Sequence, residues 1–165
     1  MNVIETERLM LRTWNDDDVE PALRIYGDGK VMRFIPVGVM NVEEIERMLR
    51  HFNEEYEREA FGLWAALEKE TGAIVGECGL HRIPETGEVE IGWLFERAGW
   101  GKGLATEAAR AVLEFGFTTA KLKRIICLID RENARSVAVA NRLGFCYDRI
   151  GRYYRRDLMK YYRDA

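Results

Sequence analysis

Three glycines at alternate positions, 99, 101 and 103, run through ERAGWGKGLATEA (residues 96–108), and a helix-forming sequence follows at once. Glycines let a chain curl until successive N–H groups point into one concavity, and a helix that starts there adds the positive end of its dipole. The chemistry that suits such a loop is the holding of an anion. Two phosphate motifs fail here. A P-loop needs Ser or Thr after Gly-Lys, whereas Lys102 precedes Gly103 and Leu104; a dinucleotide fingerprint begun at Gly99 or Gly101 needs glycine at Leu104 or Thr106. A tight strand-to-helix turn without a ligand fits the glycines equally well.

A second group with chemical potential precedes the loop. Glu90 lies in VEIGWLF, where period-two alternation puts Glu90, Gly92 and Leu94 on one face and Val89, Ile91 and Trp93 on the other. A carboxylate on a core strand is costly unless it is paired or opens on a cleft. Glu90 therefore reads either as a carboxylate open to a cleft or as the partner of a cation such as Arg82. Glu88, nearer the hairpin turn, reads as solvated. His51 in a charged helix and His81 at a strand end have no Cys, Asp or His at ligand spacing, which points away from a metal site and from a histidine dyad. Both read as surface histidines.

The elements that must carry these groups follow from punctuation and period. RLMLRTW reads as a first strand, and NDDD then supplies an N-cap and acidic first turn for a helix over about Val19 to Tyr26. Asn41 with Glu44 is a capping signal, and Ile45, Met48, Leu49 and Phe52 follow at helical spacing in a helix running to about Arg58. FGLWAALE, AIVGECGLHRI and VEIGWLF form an antiparallel meander with turns at KETG and PETG. The helix after the glycine loop buries Ala108, Ala109, Val112, Leu113 and Phe117. RIICLID is a strand, NARSVAVANRLGF a helix ending at Gly144, and the tail gives strand-like pieces. The pattern predicts an α/β fold: one domain over residues 1–165, with a mixed, largely antiparallel sheet of six or seven strands and about four helices.

Composition narrows the function. The chain of 165 residues is 47% hydrophobic and carries a formal charge of -3, with no basic tail to neutralise a run of phosphates, so extended nucleic-acid binding is not expected. No apolar stretch is long enough to span a membrane and the N-terminus lacks the regions of a signal peptide, which predicts a cytoplasmic protein. Three scattered cysteines (Cys78, Cys127 and Cys146) predict reduced, mostly buried thiols.

Taken together, TERLMLR (residues 6–12), VEIGWLF, WGKGLATEA and NARSVAVANRLGF resemble the GNAT superfamily of acyl-CoA-dependent N-acetyltransferases. The branch they resemble contains the enzymes that acetylate the N-termini of ribosomal proteins. Order and approximate spacing match over nearly the whole chain. The superfamily's pyrophosphate signature, Gln/Arg-x-x-Gly-x-Gly/Ala, falls on Trp100, Gly103 and Ala105, and Trp100 departs from its first position.

The resemblance implies that strands VEIGWLF and RIICLID run parallel and splay apart to hold the pantetheine arm. It also implies that amides of Gly101, Lys102, Gly103, Leu104, Ala105 and Thr106 hold the pyrophosphate of coenzyme A, with the Lys102 side chain at most a weak contact. Main-chain N–H groups near Trp93, Leu94 and Phe95 would polarise the thioester carbonyl, and Glu90 would act as base, directly or through water. The tyrosine acid usual seven residues after the helix-start asparagine is absent, since that count from Asn133 reaches Ala140. An Asn-x-x-Ser pattern replaces it: Asn133 would contact the cofactor and Ser136 the thioester sulfur, although both also fit plain capping roles. Arg131 and Arg135 are within reach of a nucleotide phosphate or are simply solvated.

The implied cosubstrate is acetyl-CoA, with no metal, and the implied acceptor is a primary amine, foremost a protein or peptide N-terminus. Its pocket would come from the first two helices, the loop GDGKVMRFIPVG and the C-terminal strands, whose tyrosines line either that cleft or a dimer face. A small amine (a polyamine, an antibiotic or an amino acid) and a noncatalytic acyl-CoA-binding module are the alternatives. The chain is expected to be a monomer or homodimer.

Overall fold

The computed structural model describes residues 2–165. Its strands and α-helices follow in the order β1 (Asn2–Glu5), β2 (Leu9–Arg12), α1 (Val19–Tyr26), α2 (Val42–Glu59), β3 (Leu63–Glu68), β4 (Ile74–Arg82), β5 (Val89–Phe95), α3 (Leu104–Thr118), β6 (Arg124–Ile129), α4 (Ala134–Arg142), β7 (Cys146–Tyr153) and β8 (Arg156–Asp164). All eight strands join one sheet in the order β1-β2-β3-β4-β5-β6-β8-β7. Every neighbouring pair is antiparallel except β5 and β6.

This is the expected α/β class with one or two more strands than the pattern predicted. The extra strand is β1, four residues too short to show a period alone and held by pairing Ile4 with Leu11 and Glu5 with Met10. NDDD departs in detail as well. Asp16–Asp18 form a 3-10 turn ahead of α1, with Asn15 N donating to Asp18 Oδ2 at 2.7 Å and Arg12 Nη1 2.6 Å from the same oxygen. The α2 start is as predicted: Glu44 N donates to Asn41 Oδ1 and Asn41 N to Glu44 Oε2, so two end donors are satisfied reciprocally.

Helices cover both faces of the sheet. On one, α3 buries Ala108, Ala109, Val112 and Leu113 against Trp64, Cys78, Leu80 and Ile91, with Phe117 packed at the margin. Truncating Leu113 to Ala there would cost about 2–5 kcal/mol. On the other, α1 and α2 bring Ile25, Ile45 and Leu49 onto Trp14 and Ala65. Cys78 and Cys127 are buried, but Cys146 is exposed at the head of edge strand β7.

One irregularity places the site. The parallel contact between β5 and β6 is a single pair, Glu90 with Ile126, while β5 stays fully laddered to β4 from Val89 to Phe95. Past Ile91, one edge of β5 therefore has no strand beside it, and α3 begins beyond its end.

Candidate active site

The glycine loop and the open edge of β5 meet in one cleft of about 1380 Å3. Trp93, Leu94, Phe95, Gly101, Gly103, Leu104, Ala105, Thr106, Asn133 and Ser136 all line it, so ten of the proposed cofactor residues converge although they come from three segments. Lys102 is not among the lining residues; its backbone oxygen instead accepts from Arg8 Nη1 at 2.8 Å. Gly101 and Gly103 sit at φ 76° and 77°, in the left-handed region that a Cβ disfavours. Gly103 is the N-cap of α3 and offers no side chain, so the first-turn amides of Leu104, Ala105 and Thr106 lack an intrahelical acceptor. These residues fit an anionic group such as a pyrophosphate.

Trp100, the departure from the signature, has a structural task. Its Nε1 donates to Phe95 O at 2.9 Å, tying the loop to the end of β5, and Arg135 Cζ lies 4.0 Å from its ring centroid. Arg135 thus lines the cleft, while Arg131 faces a separate hollow beside Asp157 and Met159.

Asn133 and Ser136 are brought together at the start of α4. Asn133 Oδ1 accepts from Ser136 N at 3.2 Å, and its Nδ2 donates to Ser136 Oγ at 3.0 Å. Trp93 Nε1 also donates to Ser136 Oγ, at 3.2 Å. With two N–H groups donating to its oxygen, the serine hydroxyl keeps its own proton to give, which suits contact with a sulfur or thiolate.

Glu90 lies on the opposite face of β5 from Trp93, so the structure does not join the two catalytic candidates directly. Its partner is not Arg82, which binds Glu59 at 3.0 Å. Glu90 Oε2 is 2.8 Å from His81 Nε2 and accepts from Tyr154 OH at 2.7 Å, and that hydroxyl lies 3.1 Å from His81 Nε2. His81 is therefore no surface histidine. Burial works against its charged form, but Glu90, by hydrogen bond and charge, and then Glu55 and Glu77 outweigh it and hold the imidazolium pKa above its ordinary value. Burial, the Glu90 charge and the Glu90 hydrogen bond raise the Tyr154 pKa in turn, keeping that phenol protonated. Tyr154 and Arg155 form the tip of the β7–β8 hairpin at φ 51° and 61°, an uncommon conformation for such side chains, held where the phenol meets Glu90.

The same face of the β4–β5 ladder carries a second acid. His81 opposes Glu90, Gly79 opposes Gly92, and Glu77 opposes Leu94. Glu77 is buried under α1, where Tyr26 OH donates to its Oε2, and desolvation lifts its pKa to about 7. Glu88 is not free either: it accepts from Lys160 Nζ and from Tyr153 OH.

Sequence reading missed His81, Tyr154 and Glu77. A signal for His81 existed, because the PETG turn fixes a hairpin register in which 81 faces 90. None existed for Tyr154, which reaches Glu90 from 64 positions away. Among the described residues no cluster of His, Cys, Asp and Glu is able to hold a metal, and no helix is long and apolar enough to cross a membrane.

A family model described as an acetyltransferase (GNAT) domain matches residues 8–146. An uncharacterized N-acetyltransferase of Bacillus licheniformis is 30% identical over 161 residues, covering 94% of this chain and 89% of its own. A crystal structure of a GNAT-family acetyltransferase from Bacillus anthracis superposes with a TM-score of 0.80 at 28% identity, covering 96% of this chain and 95% of that one. A ribosomal L7/L12 α-N-protein acetyltransferase in complex with coenzyme A shares the fold, with a TM-score of 0.83 at 16% identity over 99% of this chain and 98% of that one.

Proposed function

The chain belongs to the GNAT family of N-acetyltransferases, and on that premise we propose that it acetylates a primary amine, foremost the N-terminal amine of a protein or peptide, by direct transfer from acetyl-CoA. The observation that carries the reading is the cleft in which the open edge of β5, the glycine loop and the α4 start converge, with Glu90 on the other face of the same strand.

In this reading the amides of Gly101 to Thr106 hold the pyrophosphate, and the arm lies along the unpaired edge of β5. Main-chain N–H groups near Trp93 to Phe95 polarise the thioester carbonyl. The amine approaches from the face that carries Glu90, past Val31 and Phe34 of the α1–α2 loop, which also border the cleft. Glu90 takes a proton from the amine, directly or through water, while His81 and Tyr154 orient its carboxylate. The amine nitrogen then attacks the carbonyl carbon: the C–N bond forms, the C–S bond breaks, and Ser136 on the other face hydrogen-bonds the departing thiolate and relays to it a proton that solvent replaces on the hydroxyl, while the nitrogen loses its surplus proton to the Glu90 side. Division of the two roles between the faces of one strand suits a ternary complex, in which proximity replaces a covalent enzyme intermediate.

One observation favours a second acceptor class. Glu55 and Glu85 join Glu90 as negative charges acting on Tyr154, so acidic groups gather around the Glu90 carboxylate. A small polycationic amine suits that field as well as a peptide does.

The test is release of CoA thiol from acetyl-CoA across a panel of N-terminal peptides, polyamines and aminoglycosides, repeated with Glu90→Gln and Ser136→Ala. Turnover of peptides with both variants impaired supports the proposal. Exclusive use of polyamines reassigns the acceptor, and full turnover by both variants removes Glu90 and Ser136 from the mechanism.

A further inference from the structure

TERLMLR and the acidic residue of WGKGLATEA take no part in the chemistry above, yet the fold joins them across 99 positions of sequence. Arg8 Nε donates to Glu107 Oε2 at 2.6 Å, and Nη2 lies 2.6 Å from the same oxygen. Arg8 N and Thr6 Oγ1 donate to Oε1 at 2.8 and 2.6 Å. Both carboxylate oxygens are thus occupied, and Glu107 sits in the first turn of α3. The remaining Arg8 nitrogen, Nη1, reaches the loop and donates to Lys102 O at 2.8 Å.

That last bond fixes more than one atom. In a trans peptide the C=O and N–H point in opposite directions, so anchoring Lys102 O on the guanidinium of Arg8, itself at the wall of the cleft, sets the direction of Gly103 N–H. The flanking residues Gly101 and Gly103 are both in the left-handed region and carry no side chain to hold them there. A glycine segment without an anchor spends entropy on ordering when a ligand arrives.

We propose that Arg8, held by Glu107, is a positioning residue that braces the 101–106 loop with its amides already turned toward the pyrophosphate of coenzyme A. The proposal rests on the cofactor reading of the loop given above. It explains why a guanidinium is used at residue 8: one rigid fork spans the helix-borne carboxylate and the loop carbonyl, which a lysine ammonium is too compact to do.

Calorimetric titration of the full chain with CoA and with 3′-dephospho-CoA tests it. Arg8→Ala is expected to weaken both ligands by a similar factor of about ten, with binding stoichiometry unchanged. Arg8→Lys and Glu107→Gln should fall between it and the wild type. Because stoichiometry reports the folded fraction and the dissociation constant reports the loop, a merely structural role would lower the first and spare the second. Dissociation constants within about twofold of wild type for Arg8→Ala and Arg8→Lys overturn the brace. Weakening confined to CoA overturns it too, by assigning the guanidinium to the 3′-phosphate. A wild type that binds neither ligand overturns the cofactor reading itself, and the brace with it.

Discussion

The two faces of β5 are built from different materials. On the loop side the proposed anion donors are main chain: amides freed by two left-handed glycines and by a helix start with no side-chain cap. On the other side the groups are titratable side chains, Glu90, His81, Tyr154 and, further along, Glu77, collected from β4, β5 and the tip of the β7–β8 hairpin. Main-chain donors carry no pKa in the working range, so the loop side should answer to geometry alone. The acid side should answer to pH. Each prediction below breaks that division if it fails.

The largest effect is expected at Glu90. Glu90→Gln keeps the shape and an acceptor for Tyr154 but removes the proposed base, and should lower kcat/KM by about 100-fold or more. Its dissociation constant for CoA should not change, because Glu90 is absent from the cleft lining. A variant that loses CoA affinity in step with turnover would merge the two faces into one site.

Next comes the loop itself. Gly103 sits at φ 77°, and a β-branched side chain there forces the backbone out of the left-handed region. Gly103→Val should weaken CoA by roughly fivefold to 150-fold, given a strain of about 1–3 kcal/mol at such a position. The pH profile of the residual activity should match wild type. A shifted profile would mean that the loop conformation controls the titrating groups.

The difference in materials also explains what the sequence disclosed. Gly99, Gly101 and Gly103 lie within five residues, and their meaning is local: turn, free amides, helix start. Asn133 and Ser136 are likewise one helical turn apart. Such features survive reading in one dimension. The Glu90 cluster does not, because Tyr154 arrives from a separate hairpin and Glu77 acquires its character only when α1 lays Tyr26 over it. The fold was legible for a similar reason, since alternation and capping are local. β1 was missed because four residues have no period until β2 pairs with them.

A smaller effect, and one specific in pH, is expected at His81. The ring carries a raised pKa, so imidazolium persists above pH 6.5 and holds the Glu90 carboxylate in an ion pair. While the imidazolium occupies its Oε2 the carboxylate is less open to an incoming proton, and kcat at saturating amine and acetyl-CoA should rise with pH through a midpoint above 6.5. His81→Gln keeps a hydrogen bond but has no proton to lose in that range. It should erase that limb while changing kcat at pH 8.5 by only about threefold. Persistence of the limb in the variant would move the titration to another group.

Glu77 should matter least to turnover and most to how the fold responds to pH. Its pKa is raised from 4.5 to about 7, so below pH 4.5 folded and unfolded chains both hold the proton and the residue adds no pH-dependent cost. Between pH 4.5 and 7 the unfolded chain ionises first, and stability falls; above 7 the loss is constant. The shift implies a loss of a few kcal/mol, already net of what the Tyr26 hydrogen bond returns to the charged form. Glu77→Gln keeps an acceptor for Tyr26 and cannot ionise. Its melting temperature should therefore match wild type near pH 4.5 and exceed it at pH 8 by several degrees, at roughly 2–4 °C per kcal/mol for a chain of this size. Activity at a temperature where both are folded should stay within about twofold. If Glu77→Gln instead abolishes turnover at pH 8, the acid is part of the proton path from Glu90, and the titrating side of β5 extends the full length of the strand.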